Sequence, residues 1–315
     1  MTEFTELLEL RECCPHLVMV VGKGGVGKTT VAILIAIELS RRGKTLLLSL
    51  DPAKHIVKYL GLTREDLEEI EGGIHVRYVS IEREVSSITS RYADLVRELM
   101  PSLSVLNLDS VVDVIKYSPG VEEEVLLRKL KEALSSDFNY VVVDTPPTGV
   151  TLRTLILPRL YSIWLNKLIE IRERIVSLRY VIARTMKRNT DVRDRALLKL
   201  YEMRDDFKNI DSVLSSESRS SYVLVATPEP LPMYELRETY EFLKNKLSVK
   251  PKLLILNKVI PDELAAKLGV LAIQQNFLEE LKSFGVSYAV IEHLGRPTEN
   301  LSDIKALKEK IKVFK

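Results

Sequence analysis

The stretch Gly22-Lys23-Gly24-Gly25-Val26-Gly27-Lys28-Thr29-Thr30 decides how the chain folds. It fits the pattern G-x-x-x-x-G-K-[ST]. It also has the neighbours that pattern requires, the apolar strand-like run Leu17–Val21 before it and the helix-like run Val31–Arg42 after it. Glycines let backbone N–H groups turn inward, and the helix start that follows favours negative charge, so the loop is suited to phosphates. Lys28 is then expected to reach the β- and γ-phosphates of a nucleoside triphosphate, and the Thr29 hydroxyl to bind Mg²⁺. Gly24, Gly25, Val26, Gly27 and Thr30 complete the expected nucleotide contacts. Lys23 adds a second cation near the γ-phosphate, where charge develops during phosphoryl transfer.

Outward from this loop, short continuous apolar runs recur with helical stretches between them. They are His16–Gly22, Thr45–Asp51, Ile74–Ser80, Tyr140–Asp144, Tyr222–Ala226, Lys252–Asn257 and Ser287–Glu292. Strands covered on both faces read this way, and their alternation with helices predicts an α/β fold with a doubly wound, mostly parallel sheet of about seven strands. Ligands of such sheets sit at the carboxyl ends of strands. Two more strand ends carry suitable chemistry. Asp51, in Asp51-Pro52-Ala53, is placed to orient or deprotonate a water attacking the γ-phosphate. Asp144, in Asp144-Thr145-Pro146-Pro147-Thr148-Gly149, stands where a carboxylate would bind Mg²⁺ directly or through water. Pro146-Pro147 stiffens that turn and Gly149 permits a hinge.

Two stretches interrupt the sheet rhythm. Ile81–Ser135 reads as two or three helices. After Pro158, the residues Leu157, Leu160, Trp164, Leu168, Ile171, Ile175, Leu178 and Ile182 step by three or four along one helix face. A second apolar row, Ile163, Leu165, Ile169, Val176 and Val181, lies beside it. Another seam runs from Val192 to Leu214, with Thr190 placed to cap it. These stretches predict a helical subdomain, residues 81–135 and 158–215, inserted into a single domain spanning 1–315. The first seam packs either on its hairpin partner and the 81–135 helices or on an apolar ligand.

The 315 residues carry 46 Lys+Arg against 44 Asp+Glu, a net charge of +2, which predicts no strong field toward nucleic acid or membrane. Residues 1–14 contain four glutamates and no long apolar run, unlike a signal peptide, and no segment approaches the ~20 apolar residues of a membrane span. The only cysteines are the adjacent Cys13 and Cys14, so no zinc site is expected within one chain. A cytoplasmic protein without stable membrane insertion is expected.

The loop form K-G-G-V-G-K-T-T resembles the deviant phosphate-loop group of ATPases. Asp51-Pro52-Ala53, Pro119-Gly120-Val121-Glu122-Glu123 and the run from Asp144 through Thr-Gly-Val-Thr-Leu-Arg-Thr-Leu-Ile-Leu to Pro158 narrow this. Together they resemble the arsenical-pump and tail-anchored-protein targeting ATPases (the ArsA/Get/TRC group) over nearly the whole chain. The resemblance implies a homodimeric Mg-ATPase in which Lys23 reaches the partner's nucleotide. It implies that Asp51 is the water-activating residue of a first switch, and that Asp144, Thr148 and Gly149 form a second. It places Asn257 against adenine, with Pro228, Glu229 and the Gly295–Thr298 turn completing the base pocket. It makes Leu157, Leu160, Trp164, Leu168, Ile171 and Ile175 candidates for a groove that takes the apolar transmembrane helix of a client.

Three departures bound the transfer. The family's D-P-A-H-[NS] is here Asp51-Pro52-Ala53-Lys54-His55, the C-x-x-C zinc pair is missing from the sequence, and two adjacent cysteines cannot form a three-thiolate arsenite site. An arsenite-pump-like ATPase without the metalloid site is therefore one alternative. A ParA/MinD-type positioning ATPase is another, resting on Ile304, Leu307, Ile311 and Phe314, which a helical reading puts on one face opposite five lysines.

Overall fold

The computed structural model describes residues 4–8, 10, 15–64, 67–70, 73–87, 90, 120–186 and 194–314. Cys13, Cys14, Thr190, Val192 and the whole 91–119 stretch, Pro119 included, lie outside the described residues.

Seven parallel strands make the sheet: β1 (His16–Gly22), β2 (Thr45–Ser49), β4 (Ile74–Tyr78), β5 (Tyr140–Asp144), β6 (Ser220–Ala226), β7 (Leu253–Val259) and β8 (Tyr288–Glu292). The short antiparallel strands β3 (Glu68–Ile70) and β9 (Ile311–Phe314) close its two edges, giving the order β3-β4-β2-β5-β1-β6-β7-β8-β9. Every residue of β1, β2, β5 and β6 is buried, as unbroken apolar runs covered on both faces should be.

Each face has its own core. On one, α1 (Lys28–Leu39) packs with the Leu7–Leu8 turn and with Ile304 and Leu307. The other is covered by α3 (Val121–Leu134), α4 (Thr148–Thr185), α5 (Arg195–Leu214) and α6 (Pro230–Phe242), which contribute Leu126, Leu155, Leu214 and Leu236 to one cluster. Helix α1 is apolar all round because it is buried all round. Short helices α2 (His55–Leu60), α7 (Asp262–Lys267) and α9 (Leu301–Leu307), and the longer α8 (Leu271–Ser283), complete the layers. Among the described residues no helix is long and apolar enough to cross a membrane.

Three expectations are corrected. Pro158 does not begin a helix: α4 runs unbroken for 38 residues from Thr148, with Pro158 buried inside it. Local hydroxyl bonds accompany the proline, with Thr154 Oγ1 donating to Val150 O and Ser162 Oγ to Pro158 O. The cap of the second hairpin helix is Asp194, whose carboxylate accepts from Leu197 N at 2.9 Å, and α5 starts at Arg195. Finally, the C-terminal segment is no basic amphipathic helix. Helix α9 stops at Leu307, a turn follows, and Ile311–Phe314 pairs antiparallel with β8 while Phe314 stacks on Tyr288. Ile311-Lys312-Val313-Phe314 has the period-two character of a strand, and an unpaired sheet edge was available to it.

Candidate functional site

The phosphate loop connects the end of β1 to the start of α1 at the centre of the sheet, where β1 is flanked by β5 and β6. Two glycines are demanded by their surroundings. A Cβ on Gly22 would sit 2.2 Å from Val225 O, and one on Gly27 would sit 2.3 Å from Asn257 Nδ2. Gly27 also carries φ 97°, outside the range L side chains favour. Beyond the loop lies a cleft of about 650 Å³, lined by Gly24, Gly25, Gly27, Lys28, Thr29 and Thr30 at one end. Asp51, Ala53 and Pro147 join from the loops after β2 and β5, His55 and Tyr59 from α2, and Asn257, Lys258 and the 292–298 segment complete the lining. Val26 is buried beneath the loop.

Asp144 is wholly buried at the end of β5, in register with Ser49 of β2 and Val20 of β1. One carboxylate oxygen accepts from Ser49 Oγ at 3.2 Å, while Oδ1 is buried with no hydrogen-bond partner. Burial pushes the Asp144 carboxyl up to about 7, opposed by the Thr29 hydroxyl, Lys28 and Ser49. A buried carboxylate with an unmet oxygen beside a threonine hydroxyl fits a hard divalent cation, so Thr29 and Asp144 are the residues that would hold Mg²⁺. Lys28 is also buried. Desolvation pulls its ammonium below the ordinary lysine range, against the carboxylates of Asp144, Asp51 and Glu235. Its Nζ donates to Lys23 O at 3.1 Å, which folds the loop back on itself. Asp51 stands at the cleft wall, with Oδ1 accepting from Ala53 N at 3.1 Å and Oδ2 3.6 Å from His55 Nδ1.

Two residues not singled out from the sequence organise the rest. Glu235 on α6 lies 3.8 Å from Lys23 Nζ through Oε1 and accepts from Thr148 Oγ1 at 3.1 Å through Oε2. One carboxylate thus joins the loop lysine to the first turn of α4. No motif marks Glu235; only its helix position, one turn beyond Leu231, gives it reach. Lys258 follows Asn257 at the end of β7, and its Nζ donates to Gly25 O at 2.7 Å. Asn257 is buried and its amide serves the loop, Nδ2 donating to Val26 O at 2.8 Å and Oδ1 accepting from Lys258 N at 2.9 Å. Pro228 and Glu229 stand at the start of α6, outside the cleft lining, whereas Gly295–Thr298 is part of it. Gly149 is in the first turn of α4 with open space beside it.

The helical hairpin carries the second candidate surface. Leu165 and Ile169 are buried, whereas Leu160, Ile163, Trp164, Leu168, Ile171, Ile175, Leu178 and Ile182 are exposed. Leu157 is half-buried against the sheet-side core. The longer apolar seam therefore faces outward beyond Leu157, and of the second row Leu165 and Ile169 supply the packing while Ile163 and Val181 are exposed too. Arg172 fixes the far end of the hairpin through a forked contact with Asp194 at 2.9 to 3.2 Å.

A sequence profile of the anion-transporting ATPase family matches residues 15–307. The chain belongs to that family. As a member it is an ATP hydrolase that binds nucleotide. Similar proteins include an Aquifex aeolicus protein named as an arsenical pump-driving ATPase, number 2 of that organism, 29% identical over 84% of this chain and 87% of its own length. Others are the ATPase get3 of Schizosaccharomyces pombe, 26% identical over 90% and 86%, and the ATPase GET3A of Arabidopsis thaliana, 26% identical over 92% and 81%. The anion-transporting ATPase family thus accounts for the loop, the sheet and the strand ends together.

Proposed function

We propose that this ATPase works as a homodimer in the cytoplasm, and that its nucleotide state controls whether the exposed face of α4 is available to an apolar client. The preferred client is the transmembrane helix of a tail-anchored or other hydrophobic membrane protein. The observation that carries this reading is the continuity of α4. Its first turn holds Thr148, bonded to Glu235 beside the loop lysine, and its distal half carries the exposed apolar seam. At 1.5 Å per residue its 38 residues span ~57 Å without a break. A shift at the phosphate end is transmitted as rigid-body movement of the apolar end. Contiguous exposed apolar surface of this kind marks an interaction site.

The chemistry follows from the residues at the loop. Lys28, with Lys23 contributed across the dimer, stabilises the charge that develops on the γ-phosphate. Asp51 orients the attacking water and takes its proton. The water oxygen bonds to the γ-phosphorus as the bond to the β-phosphate oxygen breaks, leaving ADP and phosphate. Thr29 and Asp144 would hold Mg²⁺, which would supply neutralisation of phosphate charge. For Lys23 to reach the partner it must leave Glu235, the carboxylate that also accepts from Thr148 of α4. The helical subdomain, centred on α4 and α5, then opens or closes against its copy. The positioning-ATPase alternative loses its main support, because the C-terminal segment is folded into the sheet edge. Photo-crosslinkers placed along the α4 seam should capture a tail-anchored helix when a non-hydrolysable ATP analogue is bound. A closed dimer that yields no crosslinks would end the client reading.

A further inference from the structure

The exposed face of α4 keeps a strict rhythm. Trp164, Leu168, Ile171, Ile175, Leu178 and Ile182 are spaced four, three, four, three and four residues apart, and all six are exposed. That is a 3.5-residue repeat, the period of a coiled-coil seam, with Leu168, Ile175 and Ile182 at a and Trp164, Ile171 and Leu178 at d. Helix α4 packs onto its own chain through other residues, Leu165, Ile169 and Ala183, on a neighbouring face. The e and g positions border the seam. They hold Arg172 and Arg179 on one side and Lys167 and Arg174 on the other, whereas Glu170 and Glu173 fall at c and f. Among the described residues two acids stand against these four cations. Glu170 is 2.9 Å from Lys167 Nζ, and Asp194 is shared by Arg172 and Arg179 at 2.9 and 4.0 Å. The borders of the seam therefore stay net positive.

Those charges exclude a second copy of α4 as the occupant. In a parallel pair, g meets e of the other helix, which sets Lys167 against Arg172 and Arg174 against Arg179. In an antiparallel pair g meets g and e meets e, again cation on cation. We propose that the seam is one half of a heteromeric coiled coil, and that its other half is a partner helix whose apolar heptad stripe is bordered by Asp or Glu. The proposal rests on the exposed face of α4 being a client surface, and adds that this face reads the charges beside a client's apolar stripe. Apolar burial over ~27 Å, from Trp164 to Ile182, supplies the contact, and the bordering charges choose among apolar helices. A uniformly apolar helix binds without that selection.

The test uses the full chain with a non-hydrolysable ATP analogue and three fluorescent 21-residue helical peptides. All carry Leu at a and d, with Glu, Gln or Lys at every e and g position, and Kd is read by anisotropy. The Glu peptide should bind about tenfold more tightly than the Gln peptide and the Lys peptide about tenfold more weakly, with the spread falling to about twofold in 1 M salt. Combining Lys167→Glu with Arg174→Glu, both exposed and remote from the phosphate loop, should reverse the order while hydrolysis and circular dichroism stay unchanged. Ile175→Asp should weaken all three peptides. Equal binding of the three, lost in Ile175→Asp, overturns the charge reading and leaves the client surface standing. A preference for Glu that survives the charge reversal, or binding of the Glu peptide that survives Ile175→Asp, places the contact elsewhere and overturns the proposal as well. No binding of any peptide removes the client surface itself.

Discussion

The two halves of α4 are one helix under two sets of rules. From Thr148 to Pro158, Thr151, Thr154, Leu155 and Pro158 are buried, and Thr148 and Thr151 hydrogen-bond to Glu235 and to Pro146 O. From Leu160 onward the same helix leaves most of its large apolar side chains in water, Trp164 at 70% exposure among them. The first half is fully satisfied by its own chain. The second is not, and surface of that kind is kept where another molecule covers it in some state of the protein. Under the proposed function, the contrast would put chemistry at one end of a rod and recognition at the other.

Breaking the phosphate end has the largest effect. Lys28→Ala should lower the hydrolysis rate on the order of 10²–10³-fold while circular dichroism of the hairpin stays unchanged, because Lys28 serves phosphate charge and not helix packing. Truncating one buried and one exposed leucine of α4 sharpens the contrast in stability. Leu155→Ala should cost about 2–5 kcal/mol in denaturant unfolding, whereas Leu168→Ala should stay within ~0.5 kcal/mol. Equal costs at the two positions would mean the seam is packed in solution and the division is wrong.

The sheet also has a pH signature of its own, set by a buried histidine. His16 at the start of β1 bonds through Nε2 to Ser221 Oγ at 2.8 Å, and Ser221 Oγ donates to Leu8 O. Burial, with Lys252 nearby, lowers its imidazole from 6.5 to about 4. Because the folded value is depressed, the unfolded chain binds the proton first as pH falls. The stability present above pH 6.5 is therefore lost between about 6.5 and 4, by about 3 kcal/mol in all. Unfolding titrations should show this slope, flattened in His16→Gln. A more modest effect lies at the hairpin tip. Burial works against ionisation of Asp194, but Arg172, the Leu197 amide and Arg179 overcome it and hold the carboxyl below the usual range. Asp194→Ala should cost about 1 kcal/mol, seen as faster amide exchange in the first turn of α5.

How far these features could be read from the sequence depends on whether their cause is local. The loop Gly22–Thr30 and the runs of β1, β2 and β5 declare themselves because phosphate geometry and two-sided burial leave few options for residue type. The edge strands β3 and β9 do not: Glu68–Ile70 and Ile311–Phe314 are short, and become strands only because a sheet edge meets them. Pro158 reads as a boundary since proline removes a helix donor, yet the core that buries it overrides that preference. Glu235 and Lys258 carry no pattern, since their partners Thr148 and Gly25 lie 87 and 233 residues away in sequence. The direction of the α4 seam was also hidden. Two apolar rows on one helix say that something covers each, not which of them the chain covers itself.

Trp164, the chain's single tryptophan, sits exposed in that seam and reports on the coupling directly. Its emission should be that of an indole in water with ADP, and should shift to the blue when an apolar transmembrane peptide is added with a non-hydrolysable ATP analogue. With ADP the same peptide should leave it unchanged. A blue shift of equal size in both nucleotide states, or none in either, would contradict the claim that the phosphate end of α4 governs what its apolar end can hold.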